Sequence, residues 1–404
     1  MPRIDQAYAI EDLRRLAQRR LPRALFDFYD GGAEDELSLR ANRDAFARHA
    51  LRPRVLVDVS QVGLQTTLLG APSTLPLAIA PTGALGFGWP GADIAIAQVA
   101  SAAGVPFTLS SSGTTSIEKL AKAAPGRLWF QAYVLRDRVF FERMIQRAEA
   151  SGYEALMITV DLPVGGKRER DFRNHFSIPF KFTPRNLLDF AQHPRWALRI
   201  ARHGMPAMET LAGLAARHGG ARPSASAIAS SVGRNYDAAF DWARLEAVRK
   251  LWPRKLIVKG VAHPGDAARL VALGVDALVV SNHGGRQLDG GAATLDLLPA
   301  VVAAVAAASS APAQLGMPVP VPVLIDGGVR RGADIVKALA LGAQGVLVGR
   351  ATLWGAMAAG GPGAQRALDI LRDELLRTLQ LCGVQRVADI SRDLLLPSTA
   401  HGRA

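Results

Sequence analysis

Eight short runs of apolar, β-rich residues recur along this chain, each followed by a polar or glycine-rich junction and then by helical spacing. The runs are Leu75–Ala80, Val105–Leu109, Leu128–Val134, Ala155–Val160, Lys255–Val258, Ala277–Val280, Val323–Ile325 and Gly345–Val348. Continuous apolar runs of this length read as strands covered on both faces, as in a parallel sheet. Between them, stretches such as Asp93–Ala103, Arg138–Ser151, Pro264–Leu273 and Gly332–Leu341 have helical spacing, and Gly104, Gly152, Gly274 and Gly342 stand where helix C-terminal signals fall. Eight strand–helix units in order predict an α/β fold, a closed (β/α)8 TIM barrel with its active site in the loops at the strands' C-terminal ends. The 404 residues then divide into a helical N-terminal cap (1–74), a barrel (75–362) with a long insertion between strands four and five at about 175–235, and a helical tail (363–404), all one domain. In the tail, Leu371, Leu375, Leu376 and Leu379 fall in helical register.

The eight predicted strand ends carry polar groups or glycine: Pro81-Thr82-Gly83, Ser110-Ser111, Gln131 and Tyr133, Thr159 and Asp161 (with Lys167-Arg168 soon after), Lys259-Gly260, Ser281 with His283 and Arg286, Asp326-Gly327-Gly328-Val329-Arg330, and Gly349-Arg350. Any one such junction is ordinary. A barrel gathers all eight at one mouth. The densest is Ser281-Asn282-His283-Gly284-Gly285-Arg286-Gln287-Leu288-Asp289-Gly290. A histidine moves protons near neutral pH, an arginine holds a planar carboxylate through two parallel hydrogen bonds, and the glycines let backbone approach a ligand closely. At the last two ends, Gly327-Gly328 and Gly349 offer backbone N–H groups near helix N-termini, and Arg330 and Arg350 add positive charge. Barrels commonly bind phosphate there. The mouth reads as a site for a phosphorylated cofactor and a small carboxylate.

Other features exclude alternatives. Gly86-Phe87-Gly88-Trp89-Pro90-Gly91 matches G-x-G-x-x-G, but Pro90 interrupts it and no ribose-binding acid follows at the expected distance, so a Rossmann site is disfavoured. Cys382, the one cysteine, permits no disulfide within the chain and lies outside the barrel loops, so neither a thiol nucleophile nor a cysteine metal site is expected there, and no metal site is predicted. The net charge of +13 invites an anionic partner, but no zinc-finger spacing or RNA-binding aromatic motif is present, and nucleic acid is not expected. The N-terminus lacks a signal-peptide pattern, and no apolar run approaches the ~20 residues that span a bilayer. The expected location is cytoplasmic, with a peripheral position on the inner face of the membrane open.

In sequence order, Gly31-Gly32-Ala33-Glu34-Asp35, Ala80-Pro81-Thr82-Gly83, Trp129-Phe130-Gln131-Ala132-Tyr133, Thr159-Val160-Asp161, Lys259-Gly260, the 281–289 run, Asp326-Gly327-Gly328-Val329-Arg330-Arg331-Gly332 and Leu347-Val348-Gly349-Arg350 resemble the FMN-dependent L-2-hydroxy acid oxidases and dehydrogenases. His193-Pro194-Arg195-Trp196 and Arg202-His203-Gly204-Met205-Pro206 look most like that family's mandelate dehydrogenase branch. The resemblance implies FMN as cofactor and oxidation of a small 2-hydroxy acid to the 2-keto acid. It implies His283 as the base, Asp161 as its partner, Arg286 and Arg168 as the carboxylate clamp, and Tyr133 in contact with substrate. Lys259 would face the flavin edge where negative charge accumulates. Thr82, Ser110, Gln131, Thr159 and Ser281 would bond the ring and ribityl groups, and Asp326, Gly328, Arg330, Gly349 and Arg350 the ribityl–phosphate end. A homotetramer is also implied.

Two positions depart from the family's pattern. Phe28 stands where a carboxylate-binding tyrosine is usual, with Tyr29 beside it, and Ser112 stands where glycolate oxidase carries tryptophan. Both favour a bulkier, more hydrophobic acid, such as mandelate, over glycolate, with lactate the nearest alternative. Gly83 is the residue the family's dehydrogenases tend to carry, and it leans toward a quinone acceptor. The rival is a soluble oxidase using oxygen. Residues 181–222 hold seven Lys/Arg against two Asp/Glu, interleaved with Leu187, Leu188, Phe190, Trp196, Leu198, Ile200, Leu211 and Leu214. Such a basic amphipathic segment fits either a bilayer interface, where a quinone would be met, or an active-site lid. Residues 221–231, rich in Ala, Ser and Pro, are expected to be mobile.

Overall fold

The computed structural model describes residues 4–175, 183–211, 235–310 and 321–397. Eight parallel strands close into a barrel: β1 (Leu77–Ile79), β2 (Phe107–Ser110), β3 (Leu128–Tyr133), β4 (Ala155–Thr159), β5 (Lys255–Val261), β6 (Ala277–Val280), β7 (Val323–Ile325) and β8 (Gly345–Val348). Each pairs with its sequence neighbour, and β8 returns to β1. Every strand end falls within three residues of its predicted run, and β6, β7 and β8 match theirs at both ends. The largest difference is β5, which continues past Lys259 to Val261 across a register shift. Gly260 sits at that shift with φ +106°, and a Cβ there would lie 2.7 Å from the Asp161 Cβ, so only glycine lets β5 bend against the end of β4.

Alternation along each strand builds two cores. Outward residues such as Phe130, Leu156, Ile158, Val258, Leu278 and Ile325 join the layer beneath the helices. Inward residues Ala78, Trp129, Ala155, Met157, Ile257, Ala277, Val279, Leu324 and Leu347 fill the lower barrel, plugged by Leu68 and Leu69. Those two leucines belong to an antiparallel hairpin, Thr66–Leu68 with Ala71–Ser73. Gly104, Gly152, Gly274 and Gly342 all have positive φ and follow barrel helices, as the sequence anticipates.

The N-terminal region folds as helices Ile10–Arg20, Arg23–Asp30 and Leu37–Ala47. It serves both ends of the barrel, the hairpin closing the base and Phe28 and Tyr29 reaching the mouth. Leu37–Ala47 is capped from afar: its Leu37 and Ser38 N–H groups donate to the Asp289 carboxylate at 3.1 and 2.8 Å. Asn42 and Asn282 exchange two side-chain hydrogen bonds at 2.8 and 2.9 Å. The tail is one helix, Gly361–Cys382, with Leu371, Leu375 and Leu379 buried and Leu376 half-buried.

The insertion contains helices Pro184–Gln192 and Pro194–His203. Its apolar residues divide between two faces. Trp196, Ile200 and Leu211 are buried, and the Trp196 indole donates to the Phe87 carbonyl at 2.9 Å. Phe87 lies in a helical turn, Leu85–Gly88, within the G-x-G-x-x-G match, so that motif serves as a seat for the insertion. Leu187, Leu188 and Leu198 are exposed. Leu214 and the 221–231 stretch lie outside the described residues. Among the described residues, no helix is long and apolar enough to cross a membrane.

Candidate active site at the barrel mouth

The period of two that packs the lower barrel also builds the site. Moving up two residues from Trp129 reaches Gln131 and then Tyr133, from Met157 Thr159 and Asp161, from Ile257 Lys259, from Val279 Ser281 and His283, and from Leu324 Asp326. A cavity of about 530 Å³ opens there, lined by residues from every barrel unit except the second strand itself, where Ser112 beyond its end takes part. Of the residues the sequence singles out, Phe28, Thr82, Tyr133, Thr159, Arg168, Lys259, His283, Arg286, Asp326, Gly328, Arg330, Gly349 and Arg350 lie on its wall.

His283 has φ +56° and is followed by Gly284 and Gly285, also at positive φ. This left-handed run costs a histidine conformational energy, and it turns the imidazole into the mouth. Nδ1 lies 3.0 Å from Asp161 Oδ1, and Nε2 lies 3.3 Å from the Tyr133 hydroxyl. An ionised Asp161 fixes the tautomer with hydrogen on Nδ1, leaving the Nε2 lone pair for a ligand. Desolvation pulls the His283 pKa below the ordinary imidazole value, with Asp161 opposing and Lys259 and Arg286 adding to the fall. Burial pushes the Asp161 carboxyl up, but His283 and Lys259 together hold it below the ordinary value. The resting pair is therefore a neutral imidazole beside a carboxylate, ready to accept a proton and stabilise the resulting charge. Desolvation raises the Tyr133 pKa, so its phenol stays protonated as a donor.

Lys259 is buried, with Nζ 2.8 Å from Ser281 Oγ and 3.1 Å from Asp326 Oδ2. Burial alone would lower its pKa, but Asp326 and Asp161 more than reverse that, and the ammonium persists. Ser281 Oγ also accepts from the His283 N–H at 3.1 Å, coupling the lysine to the loop that carries the histidine. Ser110 donates to Gln131 at 3.0 Å, and Gln131 to Thr159 Oγ1 at 2.8 Å. Ser110, Gln131 and Ser281 thus sit behind the wall, and Thr159 is the member of its chain that reaches the cavity.

The anion side carries several guanidiniums. Arg168 donates through Nε to Asp171 at 2.8 Å, and Arg286 through Nη1 to the Phe28 and Gly31 carbonyls, both at 2.8 Å. Both guanidiniums flank the Phe28 ring, 5.8 and 5.3 Å from its centroid, and both keep terminal N–H groups for a carboxylate. Desolvation, with Arg168 and Arg350 nearby, pulls the Arg286 pKa down to about 9. Arg350 donates to the carbonyls of Tyr29, Gly284 and Gly31, stapling the cap to the mouth while retaining one N–H on each terminal nitrogen. Desolvation lowers Arg330 and Arg350 to about 10, Arg43 adding to the first and Arg330 to the second.

These features fit FMN. Arg330 Nε and Asp326 Oδ1 are buried without a partner, one a donor for phosphate and the other an acceptor for a ribityl hydroxyl. Gly328, at φ +92°, would drive a Cβ to 2.1 Å from the Asn42 carbonyl, so its backbone packs as only glycine can. Crowded, desolvated arginines gain from an anion. Among the described residues, no group of three or more His, Cys, Asp or Glu side chains could hold a metal ion.

The sequence reading missed several wall residues. Asp171, three residues after Arg168, orients that guanidinium, and the Arg-x-x-Asp spacing was its one available signal. Leu162, Phe172, Met208 and Tyr236 also line the cavity. Met208 and Tyr236 flank the undescribed stretch of the insertion and have no periodic signature.

A barrel whose mouth joins a histidine–aspartate pair, a buried lysine and an anion cradle defines a flavin-dependent oxidoreductase. The chain belongs to the FMN-dependent dehydrogenase family, whose model matches residues 17–397. It is 43% identical to (S)-mandelate dehydrogenase of Pseudomonas putida, over 96% of this chain and 93% of that protein. It is 40% identical to the L-lactate oxidase of a Nostoc species, over 98% of this chain and 100% of that one. A crystal structure described as the monotopic membrane protein (S)-mandelate dehydrogenase superposes with a TM-score of 0.89 at 41% identity, covering 97% of this chain and 99% of the other. The chain is thus an FMN-dependent oxidoreductase of the kind that acts on 2-hydroxy acids.

Proposed function

We propose that this protein oxidises (S)-mandelate, or a 2-hydroxy acid with a similarly hydrophobic side chain, to the 2-keto acid and passes the electrons to a quinone-type acceptor. The observation that carries the substrate is the wall of the cavity that His283 lines: Phe28, Leu162, Phe172, Met208 and Tyr236 supply apolar and aromatic surface, with the small Ser112 beside Gly83. Such surface gains little from the side chain of glycolate and more from a phenyl ring, at roughly 25 cal/mol per Å² buried.

In this reading Arg168 and Arg286 hold the carboxylate, and Tyr133 donates to the substrate. His283 Nε2 takes the alcohol proton, and Asp161 stabilises the imidazolium. FMN held at this mouth would supply the acceptor for the two electrons and the second hydrogen given up by the alcohol. Lys259, and the pair Arg330 and Asp326, would hold the flavin edge and its ribityl–phosphate end, with Thr82, Thr159, Gly328, Gly349 and Arg350 around them.

The acceptor reading is supported by Gly83, the residue that the family's dehydrogenases tend to carry, and by the insertion. On Pro194–His203 the exposed Leu198 shares a face with the exposed Arg195 and Arg202, and Leu187 and Leu188 are exposed on the preceding helix, the combination that an anionic bilayer interface attracts. Anaerobic mixing of the FMN-loaded protein with (S)-mandelate, L-lactate and glycolate, then with oxygen or a soluble quinone, tests this directly. Mandelate should bleach the flavin with the highest kcat/KM, and quinone should restore it faster than oxygen. Preference for lactate would replace the substrate assignment, and rapid reoxidation by oxygen the acceptor.

A further inference from the structure

Tyr236 is a half-buried phenol on the cavity wall that no step above uses. Its ring packs against Tyr133 with centroids 5.3 Å apart, and Tyr133 in turn reaches His283 Nε2. Its backbone is fixed to the exit of β3: Leu135 and Tyr236 form an antiparallel bridge, Arg136 N–H donates to the Asn235 carbonyl at 2.9 Å, Arg136 Nε to the Tyr236 carbonyl at 3.1 Å, and Asp237 N–H to the Val134 carbonyl at 3.0 Å. Among the described residues, the Tyr236 hydroxyl makes no hydrogen bond. The other phenols lining the cavity are engaged, Tyr133 with His283 and Tyr29 with the Ala84 carbonyl at 2.7 Å and the Gly88 N–H at 3.1 Å. Phe28, across the carboxylate clamp, carries no hydroxyl.

A phenol held rigidly at a cavity wall with its hydroxyl unbonded is prepared for an acceptor that arrives with a ligand. Its place on the wall says which part of the ligand: Tyr236 packs on Tyr133 and lines the same cavity as Arg168 and Arg286. Desolvation raises the Tyr236 pKa, Tyr133 adds to this, and the Arg168 guanidinium opposes it, so the hydroxyl stays protonated and lies within the field of the arginine placed to hold a carboxylate. We propose that Tyr236 donates to the substrate carboxylate as a third member of the clamp with Arg168 and Arg286, and so recognises the 2-hydroxy acid head group whatever its side chain. This rests on the 2-hydroxy acid reading of the same cavity.

The test is Tyr236→Phe, which keeps the ring and removes only the hydroxyl. Dissociation constants of benzoylformate, pyruvate and oxalate for the oxidised, FMN-loaded protein are read from perturbation of the flavin spectrum, beside KM and kcat for mandelate. All three ligands should weaken by about tenfold, to a similar degree, with the kinetic loss falling on KM more than on kcat. Unchanged dissociation constants with FMN retained would overturn the proposal. A penalty confined to benzoylformate would do so too, because the hydroxyl would then serve the side chain. Failure of wild type to bind any of the three would instead overturn the 2-hydroxy acid reading. Tyr236→His, which keeps a donor, should recover part of the oxalate affinity; Tyr236→Leu should not.

Discussion

On the cavity floor, Lys259 is joined to Ser281 and Asp326, Ser281 to the backbone of His283, and His283 to Asp161, all within 3.1 Å. On its roof, Phe28, Leu162, Phe172 and Met208 meet a ligand through apolar surface, and Tyr236 holds a hydroxyl that no described residue accepts. The floor comes from strand ends and is fixed before any ligand arrives. The roof comes from the N-terminal cap, the loop after β4, the interior of the insertion at Met208 and its exit at Tyr236. The floor is therefore suited to a reaction and the roof to a choice of substrate.

Substitutions on the two surfaces should separate accordingly. His283→Gln removes the base and should lower the rate constant for flavin reduction by about 10⁴-fold, the upper end for general base catalysis, with FMN still bound. Lys259→Met leaves Asp326 and Asp161 without their buried cation. The loss should be roughly 3–5 kcal/mol of stability, visible in denaturant unfolding, with weakened FMN retention. Asp161→Asn should cost about 10²–10³ in kcat/KM. It also removes the charge that opposes desolvation of His283, so the His283 pKa falls further and the acid limb of the pH profile moves to lower pH. Phe28→Tyr, on the roof, should be milder. A hydroxyl near Arg168 and Arg286 should lower KM for lactate by about fivefold, from about 1 kcal/mol of hydrogen bonding, and leave the acid limb unmoved. A large shift of that limb by Phe28→Tyr would break the division between floor and roof.

The two surfaces also differ in how much of them could be read from sequence. Inward positions follow a period of two, so the step from Val279 to Ser281 to His283, or from Ile257 to Lys259, carries the floor directly. The sequence also pointed to the glycine pair and the two arginines at the ends of β7 and β8, and Gly327, Gly328, Arg330, Gly349 and Arg350 do line the cavity. It could not show that Asp289 and Asn282, in the same decapeptide as His283, would hold the helix Leu37–Ala47. Those contacts join residues about 240 positions or more apart and leave no local pattern. Met208 and Tyr236 were missed for the same reason. The insertion's leucines and tryptophan looked like one amphipathic set, and packing on Phe87 divided them into an inward and an outward face.

The central claim is that a neutral His283, held by Asp161, takes the alcohol proton of a 2-hydroxy acid. Its most direct test is the rate constant of anaerobic flavin reduction by (S)-mandelate, followed across pH in wild type and His283→Gln. The rate in wild type should fall on acidification through a pKa below the ordinary imidazole value, as the base is protonated, and His283→Gln should be slow and lack that limb. Undiminished reduction in His283→Gln, or a limb unaltered by the substitution, would contradict the account.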